Sequence, residues 1–548
     1  MRRGAVLLSL LAVLLLQGAT DAPAATPTGN LLVLFDDGQS APAASQDRIS
    51  ALGGRPAGRS VPEIGLVTIR PPSGVSAGAF AQRLAALPGV ASVQPELRYQ
   101  PRAVPDDPAL RDSGPARGVP WQWYLAREGF FRAWTLEQGR SALVAVIDSG
   151  IDGRHPDLAP KIAAAIDQQA AVDSTGPANT DQVGHGTNVA SLACADTDNG
   201  IGMAGAGYGC RLVIEKTDFT DSSIAAAIVD ATKRHVDAIN MSFGPAAGGA
   251  NRAPHSEIRA LRYAVAHRVV LVAAASDSPG IDQGDPANIL QPAGSGASIT
   301  RGIGLDVTSA DYAGRRSSFA GSGSEISLAA YGEFRRAGNI LDPCRGPTVG
   351  VFGAFPGNST EMESFPPTAC RVKFHGDDRY ATIAGTSMAA PQVAAVGALM
   401  RVLNPYATLA DILQAIKRTA TRPRGARWTG NLGWGILDAG AALEAIRRVD
   451  RLPPRARLFA PRVSRRRSFV LRWIGRDQRR PGLIASGIAY YELFVRSGGG
   501  RSVRLLRTTG HSFRFTGRPG HRYTFWVVAV DRAGNRERGA PRVTTLVA

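Results

Sequence analysis

Short apolar runs rich in β-branched residues alternate with stretches of helical spacing through the middle of the chain. That alternation predicts an α/β core around a buried parallel sheet. Ser141–Ile147 is one such run, and Asp148 follows at its carboxyl end. Asn188–Cys194 and Ala389–Leu403 carry helical spacing, the second with Pro391 in its first turn, so His185 and Ser387 stand at two predicted helix starts. Residues 30 to about 100 read as a small α+β unit: strands at Leu31–Phe35, Gly65–Ile69 and Val90–Val93, helices at Ala44–Leu52 and Ala79–Leu87. Beyond the helical Ala439–Val449 lies a linker at Pro453 and Pro454. Tyr490–Val495, Ser512–Thr516 and Tyr523–Val530 then read as short strands with turns between them, the pattern of an all-β sandwich. At the amino end, Arg2 and Arg3 precede the apolar Ala5–Leu16, which is too short to cross a bilayer and is followed by small residues at 22–24. Residues 1–25 are therefore expected to be a signal peptide, and the chain is expected to be exported.

Charge divides the chain more sharply than composition does. The net charge is +18 over 548 residues, and residues 451–548 alone hold 22 Arg, no Lys and four acidic residues. The remaining 450 residues carry 41 basic and 41 acidic groups, so the carboxyl-terminal part is the cation. A basic exported module suits anionic cell-surface polymers, lipid head groups or extracellular nucleic acid. Arg supplies 58 of the 63 basic residues, so biased coding and a simply solvated surface explain the charge as well. No nucleic-acid motif accompanies it, and no specific nucleic-acid partner is expected. Cys194, Cys210, Cys344 and Cys370 are consistent with an oxidising compartment; three pairings are open, and the short loops favour 194 with 210 and 344 with 370. No His or Cys pair has metal-ligand spacing. Neither a membrane-spanning helix nor a sorting signal is evident near the carboxyl end, so free secretion or non-covalent surface retention is expected.

Three strings carry the chemistry: Asp148-Ser149-Gly150 after an apolar run, Gly184-His185-Gly186-Thr187, and Gly385-Thr386-Ser387-Met388-Ala389-Ala390-Pro391. A serine hydroxyl becomes a nucleophile when an imidazole takes its proton, and the imidazole needs a carboxylate to fix its tautomer. Ser387, His185 and Asp148 supply those three groups. The order Asp, His, Ser along the chain, with the Gly-Thr-Ser-Met-Ala-Ala-Pro string, resembles the subtilisin-like serine proteases. The resemblance covers residues 104–450, ending in Gly433–Ala439, and implies a parallel-sheet peptidase domain with Ser387 as nucleophile, His185 as general base and Asp148 as its orienter. It also implies that Ser242, Phe243 and Gly244 bind substrate backbone, and that residues 30–103 form an inhibitor-type propeptide cleaved between about Tyr99 and Val104. Residues 455–548 resemble a fibronectin type III-like module. No cofactor is required by the resemblance; a structural calcium at the loop around Asn199 is possible, its acidic ligand unplaced.

The chain departs from the family where the family has an asparagine that donates to the oxyanion. Asp277 stands there, at the end of Val272–Asp277. An ionised carboxylate cannot donate and repels the oxyanion. Three readings stay open: a protonated Asp277 that donates, a different register in which another group donates (Asn288 by a looped-out segment), or an impaired enzyme. Asn188 and Gln392 replace family histidines outside the triad, and residues 355–378 form an insertion expected to be a surface loop. Two functions follow: a secreted endopeptidase acting on proteins or peptides and held by its own propeptide, or a catalytically weak surface-binding protein acting through the basic module.

Overall fold

The computed structural model describes residues 26–36, 43–98, 104–169, 177–245, 254–335, 344, 349–364, 368–422 and 427–548. The expected signal peptide and the segment 99–103 lie outside these. The chain divides into two compact units, Met1–Ala103 and Val104–Ala548.

The larger unit is built on a seven-stranded, all-parallel sheet. In chain order its elements are β1 (Leu143–Asp148), β2 (Ile162–Asp167), helix α1 (His185–Cys194), β3 (Arg211–Lys216), α2 (Asp221–Lys233), β4 (Ala238–Met241), α3 (His255–Ala266), β5 (Val270–Ala274), β6 (Leu305–Ala310), β7 (Leu328–Tyr331) and α4 (Thr386–Leu403). The strand order is β7-β6-β5-β4-β1-β3-β2. The strands of this sheet other than the edge strand β2 are buried on both faces, and their side chains sort by the two-residue period. Val144 and Val146 of β1 join the core shared with α1 and α4, whereas Ala145 and Ile147 join the core shared with α2 and α3. Order reverses beside β1, so the crevice at the carboxyl ends opens at Asp148.

Helix α4 runs through the interior, buried along nearly its whole length, which its run of Ala, Gly and Met permits. It begins three residues earlier than the sequence pattern predicts, so Pro391 falls inside the helix and not in its first turn. Proline has no N–H to give the carbonyl four residues back. That carbonyl belongs to Ser387, and the Ser242 hydroxyl donates to it instead, at 3.0 Å.

The insertion is not a surface loop. Val351–Ala354, Cys370–Phe374 and Asp377–Ile383 form an antiparallel sheet, and Phe355 is fully buried. It braces α1: Asn188 Nδ2 donates to the Ala354 carbonyl (3.2 Å) and Ala354 N–H donates to Ser191 Oγ (2.9 Å). Gly184, which precedes α1, has φ of +93°, and a Cβ there would lie 2.7 Å from the Phe355 ring, so only glycine suits the position. Disulfides join Cys194 to Cys210 and Cys344 to Cys370.

Residues 455–548 form two antiparallel-dominated sheets around Trp473, Leu471, Leu493, Phe525 and Val527. They dock on the parallel-sheet domain through Ile484 N–H to the Arg447 carbonyl (3.0 Å) and Asn535 Nδ2 to the Asp450 carbonyl (3.1 Å). The smaller unit is a four-stranded antiparallel sheet, Thr26–Phe35 paired between Leu66–Arg70 and Val90–Arg98, with helices Ala43–Ala51 and Ala77–Ala85. Its core is Leu31, Val33, Phe35, Ile49, Ile69, Phe80 and Leu84.

Candidate active site

Asp148 ends β1, His185 opens α1 and Ser387 is the second residue of α4, so three elements converge on one edge of the sheet. Asp148 is fully buried and takes His185 Nδ1 on both oxygens, at 2.8 and 3.0 Å. The Nδ1 proton is thereby fixed on the Asp148 side, which leaves the Nε2 lone pair free to accept a proton. Burial pushes the imidazole pKa down. The charge and hydrogen bond of Asp148, joined by the charges of Asp181 and Asp277, outweigh it and hold His185 above its ordinary value.

A residue not singled out from the sequence holds this side together. Asp181 is buried, and its Oδ1 accepts from Ser149 Oγ (2.9 Å) and Gly184 N–H (2.9 Å) while its Oδ2 accepts from Thr187 N–H (2.8 Å) and Thr187 Oγ (2.7 Å). Gly186 N–H donates to Ser149 Oγ at 3.0 Å. The carboxylate therefore receives the orphan N–H groups at the start of α1 and ties them to the turn after Asp148. The only sequence signal is an acidic residue four positions before the histidine.

On the other side, Ser387 Oγ donates to the Ser242 carbonyl at 3.2 Å rather than to His185, among the described residues. A rotation about the Cα–Cβ bond redirects it, and apo sites commonly hold such contacts loosely. Asn240 Nδ2 in turn donates to Ser242 Oγ at 2.9 Å, so Ser242 is anchored from below. Phe243 packs on the α2 and α3 core with its ring 5.5 Å from that of Phe219, and Gly244 is exposed. Gln392, like Asn188, is a structural brace: its Nε2 donates to the Tyr331 carbonyl at 2.8 Å.

Asp277 stands at the start of α4, beside Thr386. Its Oδ1 accepts from Thr386 N–H and lies equally close to Thr386 Oγ, both at 2.8 Å. Thr386 Oγ also lies 2.6 Å from the Ala275 carbonyl, which can only accept. One hydroxyl proton serves only one of these two acceptors fully at a time. Asp277 is exposed by accessible surface; partial loss of solvent to the surrounding protein pushes its carboxyl up, against the two Thr386 hydrogen bonds and the charge of His185. Asn288 Nδ2 donates to Asp282 at 2.6 Å and so does not stand in for the missing amide.

Around Asn199 the structure supplies acidic neighbours that the sequence left unplaced. Asn199 Nδ2 donates to Asp157 Oδ1 (3.2 Å), and Asp157 Oδ2 accepts from Met203 N–H (3.0 Å) and Tyr380 Oη (2.9 Å). Asp107 accepts from Asp198 N–H (2.9 Å), and its buried Oδ1 has no partner among the described residues. Burial pushes Asp107 up to about 6 and Asp157 up to about 7. Two fully buried carboxyls, one with an orphan oxygen, fit a hard cation that takes oxygen ligands.

The profile of the subtilase family matches residues 139–435, a span that contains Asp148, His185, Asp277 and Ser387. An extracellular protease of Xanthomonas campestris pv. campestris is 28% identical over 401 residues, covering 66% of this chain and 61% of that one. Fervidolysin of Fervidobacterium pennivorans is 28% identical over 330 residues, 57% of this chain and 42% of that one. Thermitase of Thermoactinomyces vulgaris is 27% identical over 299 residues, 54% of this chain and 86% of that one. The chain thus spans about three fifths and about two fifths of the length of the first two curated relatives. A solved protease structure from Pseudoalteromonas arctica aligns at 27% identity with a TM-score of 0.48, covering 63% of this chain and 99% of that one. With the family's profile matched over more than half its length, the chain belongs to the subtilase family.

Proposed function

We propose that this chain is a secreted subtilisin-like serine endopeptidase that hydrolyses peptide bonds through an acyl-enzyme on Ser387. The observation that carries the reading is the doubly hydrogen-bonded Asp148–His185 pair at the same sheet edge as Ser387. His185 Nε2 takes the proton of Ser387 Oγ as that oxygen bonds to the substrate carbonyl carbon; Asp148 stabilises the imidazolium and stays ionised. The imidazolium gives its proton to the leaving amine as the C–N bond breaks, and water repeats the sequence to release the acid. The oxyanion takes hydrogen bonds from Ser387 N–H, a first-turn amide with no helical acceptor, and from Asp277 Oδ2 in its protonated form. Ser242, Phe243 and Gly244 line the path of the substrate backbone.

Residues 30–103 act as an inhibitory propeptide until the chain is cut between about 99 and 104. Asp107 and Asp157, with the Asn199 loop, hold a structural calcium; no catalytic step depends on it. The basic sandwich retains the secreted enzyme on anionic surface polymers, a contact that weakens as salt rises.

The test is to express the full precursor and its Ser387→Ala variant under oxidising conditions and follow intact mass. The expected result is loss of about the first hundred residues from the unmutated chain alone. If both stay full length, the weakly catalytic binding protein is the better reading.

A further inference from the structure

Residues 451–548 hold four acidic side chains against 22 arginines, and none of the four stands on the outer face of the three-stranded sheet of the sandwich. Asp477 and Asp531 each bring an oxygen within 4.8 Å of one on Asp450, at the joint with the parallel-sheet domain. Glu492, on the five-stranded sheet, pairs with Arg504 (2.8 Å) and with Arg536. Glu537 is buried and accepts from the N–H groups of Ala456 (2.9 Å) and Ala529 (3.2 Å).

The three-stranded sheet consists of Arg455–Phe459, Ser468–Arg476 and Ser512–Thr516, with the second of these in the middle. Its two-residue period turns Leu458, Leu471, Trp473 and Phe515 into the core and leaves Arg455, Arg457, Arg472, Arg476 and Arg514 exposed on the other side. None of these five is ion-paired among the described residues. The register even sets Arg455 directly opposite Arg476, a like-charge pair that costs a ladder stability. Among the arginines stand two apolar side chains, Phe459 at 44% exposure and Ile474 at 61%. Phe459 pairs with Arg472 and Ile474 with Arg457, so apolar and cationic groups alternate diagonally over the face. The five-stranded sheet is arranged otherwise. There Arg507 and Arg542 lie over the part-buried rings of Tyr490 and Trp526, and Glu492 offsets two further charges.

Water solvates a guanidinium group well but gains nothing from exposed apolar side chains set among such groups. The interface of an anionic bilayer takes both: its phosphates accept from the guanidinium forks, and its acyl boundary takes the apolar side chains. We propose that the outer face of the three-stranded sheet seats the chain on an anionic lipid bilayer, with Arg457 and Arg472 on head-group phosphates and Phe459 and Ile474 in the interface. This goes beyond retention on anionic polymers, for which charge alone serves, and it does not depend on the peptidase reading.

The test follows sedimentation of the full chain carrying Ser387→Ala with vesicles of phosphatidylcholine, alone or mixed with phosphatidylglycerol. Binding is expected to the mixed vesicles only. Arg457→Gln with Arg472→Gln is expected to weaken it about fivefold per charge removed, and Ile474→Ser about tenfold. Arg507→Gln with Arg542→Gln removes the same charge from the other sheet and is expected to change binding by about twofold at most. All five side chains are exposed, so the core of the sandwich is untouched. Equal losses from the two paired variants, or an Ile474→Ser chain that binds as tightly as its parent, overturn the lipid face. Binding to a soluble polyuronate but to no vesicle also overturns it and leaves retention on polymers standing, whereas binding to neither overturns both.

Discussion

The two sides of the catalytic cleft are built on different terms. On the histidine side, Asp148, Ser149, Asp181 and Thr187 form a closed set of hydrogen bonds, backed by the Phe355 insertion, and every partner is a backbone amide, a hydroxyl or a carboxylate. On the serine side, the hydroxyl rests on the Ser242 carbonyl and the neighbouring group is a carboxyl whose usefulness depends on a proton. The comparison teaches that His185 is held by geometry, whereas the part proposed for Asp277 depends on a proton.

Breaking the histidine side has the largest effect. Asp148→Asn keeps the shape but favours the wrong imidazole tautomer, and kcat is expected to fall about 10⁴-fold with KM little changed. Steady-state kinetics on one peptide checks this. Asp181→Ala leaves the N–H groups of Gly184 and Thr187 and the hydroxyl of Ser149 without their acceptor, so the start of α1 loosens. A drop of about 10²-fold in kcat is expected from misplaced His185, together with a lower melting temperature. A loss of stability with kcat intact would show that Asp181 only holds the fold.

The smallest effect concerns the cation. Chelation is expected to lower the melting temperature, calcium to restore it, and the variant Asp107→Asn to blunt the response. At a calcium concentration a hundred times Kd the stabilisation is about 2.7 kcal/mol. A melting curve indifferent to chelator would remove calcium from the Asp107 and Asp157 site.

Much of this site was legible in the sequence because its chemistry sits in short strings: Asp148 after an apolar run, His185 and Ser387 at helix starts. The insertion was not, because Cys370–Phe374 and Asp377–Ile383 mix charged and apolar residues and reach their structure by pairing with each other and with Val351–Ala354. Strand β2 was hidden for a related reason. Its Ile-Ala-Ala-Ala-Ile-Asp has the composition of a helix former and becomes an edge strand only by pairing with β3. Asp181 and Asp157 act through bonds to backbone amides and distant side chains, which no local pattern announces. Asp277 was visible as a departure, but whether it faced the nucleophile depended on where Thr386 lay.

The central claim is that Asp277 acts as a neutral donor coupled to His185, and a pH profile of kcat/KM for the unmutated enzyme, Asp277→Asn and Asp277→Ala tests it most directly. Burial raises the Asp277 carboxyl, which donates only while it keeps its proton, so the unmutated enzyme is expected to lose kcat/KM as pH rises through that raised pKa, a fall absent from both variants. The amide of the Asn variant donates at every pH, so its turnover is expected to match or exceed that of the unmutated enzyme, whereas the Ala variant loses about 10²- to 10³-fold. An Ala variant as active as the unmutated enzyme, with the same fall at higher pH, would contradict the account.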